Sequence, residues 1–162
     1  MVQPTPYLRP GRLGDVIAAI TVLGTYKFYK MDVPRWVERI TGSPGDAERW
    51  RVVFQEHPEF FRRSSEGGKV SLVWRRQFPR NFNVDAELET EPDHEVDGST
   101  ESRISRRPLT PVEVAELIGV AIKLHGQALE QQKARVWWLP LAAAGLSLIS
   151  VITGSLLTAA LR

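Results

Sequence analysis

Chemistry needs side chains that donate, accept or attack at matched spacing, and this chain of 162 residues carries few. It has three histidines, His57, His94 and His125, and no cysteine. The missing thiol removes disulfides, thiolate nucleophiles and cysteine-based metal sites. The histidines fall on a helix end, in an acidic tract and on a helix stripe, so they do not converge by sequence. Gly67-Gly68 is not followed by the Lys-Ser/Thr pair of a phosphate-cradling loop. Glu87, Glu89, Glu91, Asp93 and Glu95 alternate as a loose divalent-cation site would, but a solvated acidic tract explains them better. No enzyme activity, cofactor or metal is expected.

The charges are more informative than the histidines. Residues 1–80 carry 14 Lys/Arg against 8 Asp/Glu, residues 81–101 carry 8 acids and no base, and residues 102–162 carry 7 bases against 3 acids. Segregation of this kind marks separate modules. Arg62, Arg63, Lys69, Arg75, Arg76 and Arg80 concentrate positive charge where phosphates or other anions could be met. The third helix, which would enter a nucleic-acid groove, offers Glu48, Arg51, Gln55 and Glu56, a nearly neutral face.

The elements that must position these residues follow from periodicity. Residues 1–11, with Pro4, Pro6, Pro10 and Gly11, read as an extended lead-in. Leu13, Val16, Ile17, Ile20, Leu23 and Tyr26 recur at helical spacing. Asp32 and Pro34 start a second helix that Gly42 stops. A third carries Ala47, Trp50, Val53, Phe54 and His57 and ends at Pro58. The period then becomes two over Glu59–Arg63 and Val70–Arg75, a hairpin joined through Ser64–Lys69. Three helices followed by a hairpin with a Gly67-Gly68 tip resemble the winged-helix superfamily. The resemblance covers roughly residues 10–80 and implies a domain, placed at 12–80, that binds nucleic acid or protein.

Residues 81–109 are sparse in apolar side chains and read as a disordered acidic linker. Thr110-Pro111-Val112-Glu113 has the form of a capping box opening a long helix. That helix is amphipathic over 110–136 and is expected to run into a transmembrane helix over 137–161, which holds no charge. A span needs about 20 apolar residues to cross a core of ~30 Å. Positive charge before it places the N-terminal region in the cytoplasm, as a single-pass integral membrane protein in contact with the lipid bilayer. Val114, Ile118, Ala121 and Ala128 form a stripe that, on a straight helix, shares a face with the small residues Ala143, Ser147, Ser150, Gly154 and Thr158. One continuous seam would pair the chain with itself as a homo-oligomer. Packing of the first half on the winged helix, or on a membrane surface, is the competing reading.

The expected fold class is thus mainly α with a small β-hairpin: winged helix, acidic linker, amphipathic helix and C-terminal span. The expected function is a non-enzymatic, membrane-tethered adaptor or sensor with a protein partner. The alternatives are a membrane-bound DNA- or RNA-binding regulator and a small oligomeric membrane-perturbing effector.

Overall fold

The computed structural model describes residues 5–64, 68–86, 88–89 and 104–136. Contacts divide the chain into a first unit ending at His125 and a second running from Gly126 to Arg162.

In the first unit, a 3-10 turn (Pro6–Leu8) leads into α1 (Arg12–Thr25), whose Val16, Ala19, Ile20 and Leu23 are buried at helical spacing. A short strand, β1 (Lys30–Asp32), precedes α2 (Val33–Thr41). Pro34 sits in the first turn of α2, where its missing N–H costs nothing. Gly42 ends that helix in the left-handed region, φ 78°, and donates its N–H to the Glu38 carbonyl. α3 (Ala47–Glu56) buries Trp50, Val53 and Phe54. β2 (Phe61–Arg63) and β3 (Lys69–Leu72) pair antiparallel, and Ser64 donates its N–H to the Lys69 carbonyl at 2.8 Å. β1 pairs with the other side of β3, giving the order β1-β3-β2. The Trp36 indole donates to the Val70 carbonyl at 2.9 Å, and Phe54 meets Phe61 edge-on at 5.0 Å, so α2 and α3 are both keyed to the sheet.

Three expectations are corrected here. First, the acidic stretch 81–109 is not a plain linker. β4 (Phe82–Asn83) pairs with β5 (Leu88–Glu89) on one side and β6 (Ile104–Ser105) on the other, so both ends of the acidic excursion are tied to one strand. The segment after β6 is docked: Leu109 is in the core and donates its N–H to the Gly24 carbonyl at 2.8 Å.

Second, α4 (Pro111–Val136) spends its first turns on its own domain. The capping box forms as expected: Glu113 accepts from the Thr110 N–H at 2.8 Å, and the Thr110 hydroxyl accepts from the Glu113 N–H. Val114, Leu117 and Ala121 are buried in the core, and Ile118 and Leu124 pack against it. Fully burying a Val or Leu side chain contributes ~1.5–3 kcal/mol, so this face is already occupied. The seam expected through Val114, Ile118 and Ala121 is therefore an intramolecular contact. Gly24 makes room for it, since a Cβ there would lie 3.3 Å from a Val114 methyl.

Third, among the described residues no helix is long and apolar enough to cross a membrane. The stretch 137–161 expected to span one lies outside the described residues, as do Ala143, Ser147, Ser150, Gly154 and Thr158. Of the second unit, residues 126–136 are described; they are helical, and Ala128 there is buried.

Candidate functional site

The sheet builds a basic hollow on its outer face. Val70 and Leu72 point into the core, so Ser71 between them points the other way. In the ladder Ser71 lies opposite Lys30 of β1 and Arg62 of β2, which places a small hydroxyl between two long cations. Ser71 itself is 2% exposed. Together with Arg63, Ser64 and Arg76, these residues line a hollow of about 460 Å³. Lys30 donates to the Ser64 hydroxyl at 3.4 Å, and Arg63 reaches sideways to the Gln55 side chain. Among the described residues, Lys30, Arg62, Arg63 and Arg76 form no ion pair with a carboxylate.

The six cations singled out by sequence therefore separate. Arg62, Arg63 and Arg76 meet at the hollow. Lys69 and Arg80 are exposed but do not line it. Arg75 is completely buried and faces the opposite way. Its guanidinium donates to the carbonyls of Leu23 (2.9 Å), Tyr26 (2.6 Å), Arg106 (2.5 Å) and Arg107 (3.0 Å), with longer contacts to Phe28 and Lys27. Burial, and secondarily the charge of Arg107, lower its pKa to about 10. Lys30 and Ser71 escape a reading of the sequence, because a three-residue strand ahead of a helix cap carries too short a pattern.

The outward face of α3 is self-neutralised. Arg51 pairs with Glu48 at 2.5 Å, and Arg49 pairs with Asp15 and, at 3.9 Å, with Asp46. At its end, Glu56 takes Arg9 and Arg12. A helix whose cations are spent on neighbouring acids has little left for phosphates.

The histidines do not converge. His57 is buried against Tyr7, whose ring meets it edge-on at 4.6 Å, and its Nδ1 faces Glu59 Oε1 at 3.1 Å. The Tyr7 hydroxyl also donates to that carboxylate. Burial lowers the His57 pKa, with Glu59 opposing. Burial and Glu59 both raise that of Tyr7. His125 donates from Nδ1 to the Tyr7 carbonyl at 2.8 Å, fastening α4 to the lead-in. His94 lies outside the described residues. Among the described residues no group of three or more His, Asp or Glu side chains is arranged to hold a metal.

A second concavity is apolar. Phe60, Val73 and Trp74 on one side and Leu117, Val120 and Leu124 on the other enclose about 230 Å³, with Glu59 and Gln77 also in the lining. Val73 and Val120 remain 38% and 44% exposed, although they border a groove that two more apolar side chains could close.

No protein-family model matches the chain, and no curated protein and no solved structure matches it.

Proposed function

We propose that this chain is a non-enzymatic adaptor whose N-terminal domain, a winged helix, docks a helix of a partner protein in the apolar groove beside α4. The winged-helix resemblance is supported by the order α1-β1-α2-α3-β2-β3 and by the antiparallel strand order β1-β3-β2. The observation that carries the function is the groove itself. Its α4 wall is Leu117, Val120 and Leu124, a stripe at spacings of three and four residues. A stripe of that spacing is the apolar wall against which the side chains of a second helix pack. At about 230 Å³ the groove falls below the ~300 Å³ at which pockets for drug-sized ligands begin. One or two aliphatic or aromatic side chains fill it.

A nucleic-acid regulator is less well supported, because the outward cations of α3 are matched by acids within the domain. Membrane attachment forms no part of this reading, since residues 137–161 lie outside the described residues.

The test uses the full chain in its native cells, with a photoreactive residue at Val120, at Val73 or, for comparison, at Arg51 on α3. Val120 and Val73 are expected to capture the same protein, Arg51 to miss it, and Leu124→Asp to abolish capture while the helical content is kept. Capture of nucleic acid, of another copy of this chain alone, or of the same protein equally from Arg51 would refute the reading.

A further inference from the structure

The basic hollow has no role in docking a helix beside α4, and it carries an inference of its own. We propose that Lys30, Arg62 and Arg76, around the floor made by Ser71, bind a phosphomonoester group in its dianionic form.

Charge balance is the first argument. Several cations of this unit are matched: Arg9 and Arg12 by Glu56, Arg49 by Asp15, Arg51 by Glu48, and Arg107 by Glu113 at 2.7 Å. Others, among them Arg35, Arg39 and Lys123, are exposed and do not line the hollow. The hollow is where unpaired cations are gathered. Four cations from three chain segments line one concavity, and among the described residues no carboxylate pairs with them. Like charges gathered by sheet register repel one another, and a bound anion relieves that repulsion.

The floor is the second argument. The row Lys30–Ser71–Arg62 runs across all three strands, and the short side chain of Ser71 leaves the space that a Leu or Thr at the same position would reduce. Ser64 and Ser71 add hydroxyls that can donate to phosphoryl oxygens, and guanidinium groups match those oxygens in pairs.

Shape selects the ligand class. Lys30, Arg62, Arg63 and Arg76 converge on one hollow instead of forming a track. Lys69 and Arg80 stand outside it, and α3 offers only paired charges. A linear polyanion gains by meeting many cations in succession, whereas a single group with nearly two charges gains most from a compact cluster. The phosphomonoester is the shared chemistry of a phosphorylated side chain and a free small phosphate, and the experiment separates these sources.

Inorganic phosphate, O-phosphoserine and a phosphoserine-containing decapeptide are titrated into the full chain, with binding read by calorimetry and by thermal protection. Saturable binding is expected. It should weaken about tenfold or more in Arg62→Ala and in Arg76→Ala, the loss of one charge-assisted hydrogen bond. It should change less than about twofold in Arg80→Ala, which lies outside the hollow. Ser71→Leu should abolish binding by filling the floor, and Ser71→Ala should retain most of it, which separates filling from loss of the hydroxyl. Affinity should also fall as pH drops through ~6, where the dianion takes up a proton and becomes a monoanion. Equal affinity for O-phosphoserine and peptide identifies a free phosphomonoester; tighter binding of the peptide identifies a phosphorylated chain. The proposal is overturned if no phosphomonoester binds, or if Arg62→Ala and Arg76→Ala bind as well as the wild type. It is equally overturned if only duplex oligonucleotide or vesicles of mixed phosphatidylserine and phosphatidylcholine bind at the hollow.

Discussion

Replacing Arg75 with Met keeps most of the side-chain stem and removes the charge and all of its donors. In the folded chain that guanidinium holds the carbonyls of Leu23 and Tyr26, at the end of α1, against those of Arg106 and Arg107, the segment that leads into α4. Hydrogen bonds to a charged group contribute ~1.5–3 kcal/mol each, so the four short ones sum to roughly 6–12 kcal/mol. Taking the guanidinium out of water costs several kcal/mol, and the depressed pKa of about 10 reports that cost. A net loss of ~3–5 kcal/mol is expected, the usual result of stranding one side of a buried charged contact. For a unit of this size that lowers Tm by roughly 10–20 °C. Thermal unfolding followed by circular dichroism measures it. Hydrogen exchange adds the location: the Leu109 amide, bonded to the Gly24 carbonyl, should lose protection before the amides of β3 do. Arg75→Lys keeps the charge but offers three donors from one point, so it should recover less than half of the loss. A Met variant within ~1 kcal/mol of wild type, or a Lys variant equal to it, would show that the carbonyls find water and that Arg75 is no clamp.

Gly24→Val would drive a branched side chain into Val114 and Leu109, whose side chains lie 3.3 and 3.4 Å from where its Cβ would sit. Overpacking of this kind costs ~1–3 kcal/mol, visible in urea unfolding, and an unchanged midpoint would mean that α4 is free to shift. Stability should also fall in two stages as the medium is acidified. His57 is held below its ordinary 6.5 mainly by burial, so the unfolded chain takes the proton first and stability drops as pH falls below that value. Glu113 is held down near 2, first by its two bonds from Arg107 and then by Thr110. Its contribution is complete above about 4.5 and is lost on the way to 2. Urea midpoints at pH 7, 5.5 and 3.5 follow both stages; Glu113→Gln should remove the lower one, and a profile flat to pH 3.5 would contradict both assignments.

Much of the framework can be read from the chain. Pro34 and Gly42 bracket α2 as expected, Thr110 and Glu113 form their box, and the hairpin closes between Ser64 and Lys69. Arg75 shows where such reading stops. Strand alternation from Val70 would turn it outward with Ser71 and Val73. The strand instead ends at Leu72, and the 3-10 turn Trp74–Gln77 rotates the guanidinium inward. Two- and three-residue strands such as β1, β4 and β6 carry too little periodicity to announce themselves. They exist because distant partners supply their hydrogen bonds. The stripe on α4 marks Val114 and Ala121 as buried, but spacing cannot say whether the covering surface belongs to the same chain. A core residue and an oligomer contact obey the same rule. The hollow around Ser71 is half legible, as Arg62, Arg63 and Arg76 without the Lys30 that register brings beside them.

The pairing of β4 with both β5 and β6 has a consequence for how this gene product tolerates editing. The excursion between Glu89 and Ile104 begins and ends on one strand, so its two ends are held at a fixed separation whatever its length. Doubling the length of a connection between two fixed ends adds only about 0.6 kcal/mol of closure entropy. The acidic tract can therefore be lengthened, shortened or interrupted by an inserted tag while Arg75, Leu109 and α4 keep their places. A single protease cut there would leave two peptides still joined by the pairing of β4 with β6 and by the bonds from Arg75 to the Arg106 and Arg107 carbonyls, which makes the tract the place to split the chain into a two-piece reporter.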